Sequence, residues 1–230
     1  MSIFSAAHPG VLLDATTLTN LEIKESDLRG YFNTSAIMDL LNNNPNCVGI
    51  RVYNINPSTE FPALLAVCVL DNGADMQEDG THIMCSPINS PSNNVDELSR
   101  QNAFEMIQEG YTFDVNESER FSSFFSRTML NDLVGGNAHT GLAFYKVIWL
   151  GGRSTHLAVT SNLNTDPNMS IPIIGLNGTG FNHCLSDQPC PGHCANLDAN
   201  GVDIVSPNPM TSIAGDLTGH YIPIWDPKKL

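Results

Sequence analysis

The residues best suited to chemistry crowd near the C-terminal end, in His183-Cys184 followed by Cys190-Pro191-Gly192-His193-Cys194. Thiolates and imidazoles are the ligands a tetrahedral zinc ion takes, and four are needed. Cys184, Cys190, His193 and Cys194 could supply them, which makes zinc the one cofactor the sequence suggests. The spacing is not the usual pair of cysteines two residues apart. A Cys190–Cys194 disulfide closing the Pro-Gly turn, or simple free thiols in a packed loop, answers the same pattern. The other cysteines, Cys47, Cys68 and Cys85, are scattered and read as small buried residues.

A second candidate is Ser154-Thr155-His156 after a glycine pair. Residues two apart on a strand share a face, so Ser154 and His156 could meet as nucleophile and base. A triad also needs an orienting carboxylate and oxyanion donors, and no Gly-x-Ser-x-Gly elbow occurs. The reading favoured is a polar hairpin end. Asp71-Asn72-Gly73-Ala74-Asp75 and Asp198-Ala199-Asn200-Gly201-Val202-Asp203 look like fragments of calcium loops but lack the closing glutamate, and Asx-Gly turns account for both. His8 and His139 stand alone. Phosphate loops, dinucleotide fingerprints, metalloprotease helices and haem attachment motifs are missing from the sequence. No catalytic residue can therefore be assigned.

The elements that must position these residues repeat. Phe32-Asn33-Thr34-Ser35-Ala36-Ile37-Met38-Asp39-Leu40-Leu41 lies over Phe125-Ser126-Arg127-Thr128-Met129-Leu130-Asn131-Asp132-Leu133-Val134, each with apolar residues at the three- and four-residue spacing of one helical face. After a one-residue deletion, Gly49-Ile50-Arg51-Val52-Tyr53 falls on Gly141-Leu142-Ala143-Phe144-Tyr145. Leu65-Ala66-Val67 falls on Leu157-Ala158-Val159, and Met76 on Met169. Each copy reads helix, tight loop, strand, turn, strand, the strands being rich in Val, Ile, Tyr and Phe. Asn56-Pro57-Ser58 marks the first hairpin turn and Gly151-Gly152 the second.

The expected fold is α+β: two similar helix-plus-antiparallel-hairpin units, an internal duplication that could share one sheet. Residues 1–85 form the first unit, 86–94 a Pro/Ser/Asn-rich linker and 95–171 the second unit. Residues 172–230 form an irregular Pro/Gly-rich tail that carries the cysteine cluster and packs on the body or on a neighbouring copy. Within the second unit, Val95 to Gln108 is expected to be a helix, with Asp96 and Glu97 at its positive end. Asn116-Glu117-Ser118-Glu119 is expected to open the next one.

Charge limits the partners. The 230 residues carry 24 Asp and Glu against 10 Lys and Arg, a net charge of −14. Ten scattered cations cannot build the basic stripe that neutralises a phosphate backbone, which argues against nucleic acid and against anionic membrane surfaces. No stretch approaches the roughly 20 apolar residues of a membrane span, and the N-terminus lacks the basic and apolar regions of a signal peptide. The expected location is the cytoplasm.

Three groups of residues carry a resemblance: Cys47-Val48-Gly49-Ile50-Arg51-Val52-Tyr53, then Asp71-Asn72-Gly73-Ala74-Asp75-Met76, then Cys190-Pro191-Gly192-His193-Cys194. In these the chain resembles a family of short uncharacterised bacterial proteins. That family has a Cys-x-Gly-hydrophobic-Arg-x-Tyr strand, an Asn-Gly-x-Asp turn and a Cys-Pro-Pro-x-Cys tail. Here a second unit stands before the tail, Gly192-His193 replaces Pro-x, and the second unit lacks the Cys and Arg of the first. The resemblance implies the fold unit and no reaction. The function expected is that of a non-enzymatic structural or self-assembling protein, acting as a homo-oligomer or with a protein partner. The alternatives are a module binding a small ligand or protein, and a metal-dependent enzyme using the Cys/His cluster.

Overall fold

The computed structural model describes residues 11–12, 21, 23–56, 63–71, 75–76, 78, 80–85, 95–97, 122–134, 140–149, 153–161, 183–186 and 189–190. Both helical faces read from the sequence form. Helix α1 (Thr34–Asn43) buries Ile37, Leu40 and Leu41, and α2 (Arg127–Val134) buries Met129, Leu130 and Leu133. Each is shorter than its apolar pattern. Phe32 and Phe125 belong instead to the strands that lead into the helices, β2 (Leu28–Asn33) and β7 (Ser122–Ser126). Residues 28–32 and 122–126 are buried without alternation. A strand covered on both faces shows no period of two, so nothing in the local pattern announces it.

The two hairpins also form. One is β3 (Gly49–Asn56) with β4 (Ala63–Val69); the other is β8 (Gly141–Trp149) with β9 (Arg153–Ser161). Their registers correspond: Tyr53 opposes Leu65 as Tyr145 opposes Leu157, and Arg51 opposes Val67 as Ala143 opposes Val159. Shorter strands complete the set, namely β1 (Val11–Leu12), β5 (His82–Cys85), β6 (Val95–Glu97), β10 (His183–Leu185) and β11 (Pro189–Cys190). The helix expected from Val95 is corrected at its start. Val95, Asp96 and Glu97 extend the sheet by pairing with Cys85, Met84 and Ile83, because an available strand edge overrides weak local helix preference. Residues 98–108, the linker at 86–94 and the capping segment at 116–119 lie outside the described residues.

All pairs are antiparallel and make two sheets, β1-β10-β9-β8-β2 and β11-β7-β3-β4-β5-β6. The hairpins therefore do not share a sheet. Each leading strand crosses to the other hairpin: β2 pairs with β8, setting Phe32 against Leu142 and Asn33 against Gly141, while β7 pairs with β3, setting Phe125 against Ile50 and Ser126 against Gly49. Matching backbone bonds close both junctions, from Thr34 N–H to the Thr140 carbonyl (2.9 Å) and from Arg127 N–H to the Val48 carbonyl (2.7 Å).

One core results. Phe32, Leu142, Phe144 and Ala158 of the first sheet pack with Ile50, Val52, Leu64, Ala66, Cys68 and Phe125 of the second and with both helices. Phe144 sits at its middle, edge-on to Phe125 (ring centroids 5.4 Å apart) and to Phe32 (5.9 Å). The opposite face of the first sheet carries a second apolar cluster of Leu28, Tyr31, Ala143, Tyr145, Val147, Leu157 and Val159, with Leu21 and Ile23 against it.

Candidate functional site

The alternation of β3 divides the Cys-x-Gly-x-Arg-x-Tyr segment. Ile50 and Val52 enter the core, and Gly49, Arg51 and Tyr53 line the other face of the sheet. Gly49 is required by close approach: a Cβ there would stand 2.3 Å from the Phe125 carbonyl oxygen and 2.7 Å from the Phe124 ring. Arg51 has no exposed surface and is paired with Asp75, which is equally buried. The Tyr53 hydroxyl donates to the other oxygen of the same carboxylate. Asp75 reaches this position because the chain after β4 folds back, with Asp75 bridged to Val69 and the Met76 N–H donating to the Cys68 carbonyl (2.7 Å). Burial pushes the Asp75 carboxyl above its ordinary range, against the opposing pull of Arg51 and the Tyr53 hydrogen bond. This carboxylate, read as part of a calcium-loop fragment, is committed to Arg51 and Tyr53. The arrangement pins the Asp75 segment to the sheet.

A second polar cluster joins the sheets. His156 meets Ser123 of β7, a serine from the facing sheet. The His156 Nδ1 lies 3.0 Å from Ser123 Oγ, and the His156 backbone N–H donates to the same oxygen (2.9 Å). Ser123 Oγ is 3.1 Å from Thr155 Oγ1, which donates to the Ser186 carbonyl (3.0 Å). Ser186 then spans the two sheets, its N–H on the His156 carbonyl (3.1 Å) and its hydroxyl on the Phe124 carbonyl (2.8 Å). Burial, with the Arg29 charge as a lesser cause, lowers the imidazole to about 3, so the ring is neutral at ordinary pH. Ser123, Thr155, His156 and Ser186 all have zero exposure. A nucleophile so enclosed has no route to a substrate; the cluster holds strands together.

The third cluster lies where α1 ends. No basic residue stands in the last turn of α1, and Arg127, the first residue of α2, supplies the missing cation from across the chain. Its guanidinium donates to the carbonyls of Leu41 (2.6 Å), Asn44 (2.9 Å) and Cys47 (2.8 Å), satisfying carbonyls that a helix end leaves open and countering its negative dipole. Cys47 and Cys68, both reduced and buried, belong to the same core cluster as Leu40 and Leu41 of α1. Read as isolated in the sequence, these two cysteines share one core, and the β3–β4 register sets Cys68 opposite Ile50.

Two cysteines of the C-terminal segment fall in described strands. Cys184 lies in β10 opposite Leu12 and Ala158, in the first sheet, and Cys190 lies in β11 opposite Ser122, in the second. His193 and Cys194 fall outside the described residues, as do His8, His139 and the segment 198–203. Among the described residues no group of three or more His, Cys, Asp or Glu is placed to hold a metal ion, and no helix is long and apolar enough to cross a membrane. Comparison with family models, curated proteins and solved structures finds no match to this chain.

Proposed function

We propose that this chain is an internally duplicated, non-enzymatic structural protein that associates with copies of itself. The observation that carries the reading is the reciprocal placement of β2 and β7, each completing the sheet that holds the other stretch's hairpin. Two separate half-length chains with the order strand, helix, strand, strand would associate through this same contact. One chain holding both halves keeps that interface within itself. Related surfaces on the two halves favour further self-association, and exchange of a strand is a low-cost way to build it.

The chemistry-bearing side chains described above support a structural role. Arg51, Asp75 and Tyr53 bind one another, and Ser123, Thr155, His156 and Ser186 bind one another, with all seven buried. The resemblance in the Cys-x-Gly-x-Arg-x-Tyr and Asn-Gly-x-Asp segments belongs to the same reading: those residues act as a fold signature, since Gly49, Arg51, Tyr53 and Asp75 each answer a packing or pairing demand.

Light scattering of the purified protein in reducing buffer, combined with negative-stain imaging, tests the proposal. A defined oligomer, ring or filament is the expected result. A strict monomer at every concentration up to the solubility limit would overturn it.

A further inference from the structure

The described elements fall into a first half, β2 to β6 with α1 (residues 28–97), and a second half, β7 to β11 with α2 (residues 122–190). The halves meet through two antiparallel junctions, β2 on β8 and β7 on β3, and through one shared core. Phe32 of the first half stands edge-on to Phe144 of the second, with ring centroids 5.9 Å apart. Leu28 and Tyr31 of the first half complete the apolar cluster of Ala143, Tyr145, Leu157 and Val159.

The two junctions are not chemically alike. Arg127 opens α2 and donates to the carbonyls of Leu41, Asn44 and Cys47 at the end of α1. At the matching junction Thr34 opens α1, its N–H on the Thr140 carbonyl as the Arg127 N–H is on that of Val48, and a threonine has no cation to offer. A first half seated on another first half would therefore leave the α1 carbonyls without their donor and the helix dipole without its counter-charge. The surface that suits a first half is a second half.

One stretch of chain, residues 98–121, joins the halves and spans at most about 80 Å when extended. If the first half of one copy seats on the second half of another, every junction contact is kept and only the connection takes a new course. Such an exchange gives up no packing. Each chain carries one half of each kind, so the exchange runs head to tail, closing as a two-chain ring or continuing as an open filament.

Resting on the self-association proposed for this chain, we propose that its partner surface is this junction: the first half of one copy docks on β8 and β7 of a second copy, with Arg127 of that copy on the end of α1.

The test places a site for a sequence-specific protease in the full-length chain after Gly110, and in a second version after Asn116, each checked for folding by circular dichroism. The oligomer is isolated in reducing buffer, cut, and measured by light scattering. Exchanged halves are held across copies only by residues 98–121. Cutting should therefore drop the mass to that of one chain, 24.9 kDa plus the inserted site, with the two fragments co-eluting in equal amounts and the circular dichroism unchanged. An oligomer that keeps its mass after complete cutting would overturn the exchange and leave self-association to another surface. Fragments that part from each other would also overturn it, because the junction would be too weak to join two copies. An uncut protein that stays monomeric throughout would remove the self-association itself, and the exchange with it.

Discussion

His156 is enclosed in the core with no exposed surface, and its imidazole takes up a proton only near pH 3 in the folded protein. In the unfolded chain the same ring titrates near its ordinary value of 6.5. The folded value is the lower one, so the stability at stake is whole above pH 6.5 and drains as the pH falls toward 3, where the folded ring finally protonates. Each pH unit in that window costs about 1.4 kcal/mol. Between pH 7 and pH 5 the loss is about 2 kcal/mol, a roughly 30-fold fall in the folding equilibrium. Carboxylates titrate over part of the same range, so the measurement must be a difference. Urea unfolding followed by circular dichroism, at pH 7 and pH 5, on the wild type and on His156→Gln, isolates the imidazole. The variant loses the imidazole's hydrogen bond to Ser123 at both pH values and keeps the backbone one, and its side chain does not titrate. The wild type should therefore lose about 2 kcal/mol more than the variant between the two pH values. Equal losses would show that the ring is solvated or that the folded core accommodates its charge, and the reasoning from burial would fail.

Asp75→Asn leaves the Arg51 guanidinium buried without its counter-charge and should cost about 3–5 kcal/mol in chemical denaturation, whereas replacing Arg51 and Asp75 together by Met and Leu should recover much of that loss. Gly49→Ala should destabilise by at least about 2 kcal/mol, because the new methyl meets the Phe125 backbone oxygen, which cannot step aside. Gly30→Ala should be milder in the same melts, since its methyl meets side chains, Cys85 Sγ at 2.7 Å and Leu64 at 3.2 Å, that can turn away. Arg127→Met removes three charge-assisted hydrogen bonds at the end of α1. It should cost about 2 kcal/mol and speed amide hydrogen exchange in residues 41–48 before it affects β8 and β9.

The candidate sites show how far single positions can be read. Gly49, Arg51, Tyr53 and Asp75 stand out as a motif in the sequence, yet the motif does not say that one carboxylate serves both the arginine and the tyrosine. His156 draws notice beside Ser154, and the strand that faces it across the core brings Ser123 to its ring. Cys47 and Cys68 look unrelated in the sequence, and the fold places both in one core.

Local order came from the sequence alone. Apolar spacing marks the buried faces of α1 and α2, runs of β-branched and aromatic residues mark the two hairpins, and the repeated order of these elements is visible in the chain. Such patterns arise when one face of an element is buried and the other is wet, a condition each segment expresses within a few residues. Tertiary structure decided the rest. Strands β2 and β7 are buried on both sides and so carry no alternation, and β6 takes strand form because β5 offers it an edge. Above all, β2 joins β8 and β7 joins β3. Which edge a strand completes depends on hydrogen bonds and packing between segments far apart in the chain, and periodicity within a segment carries no record of its partner.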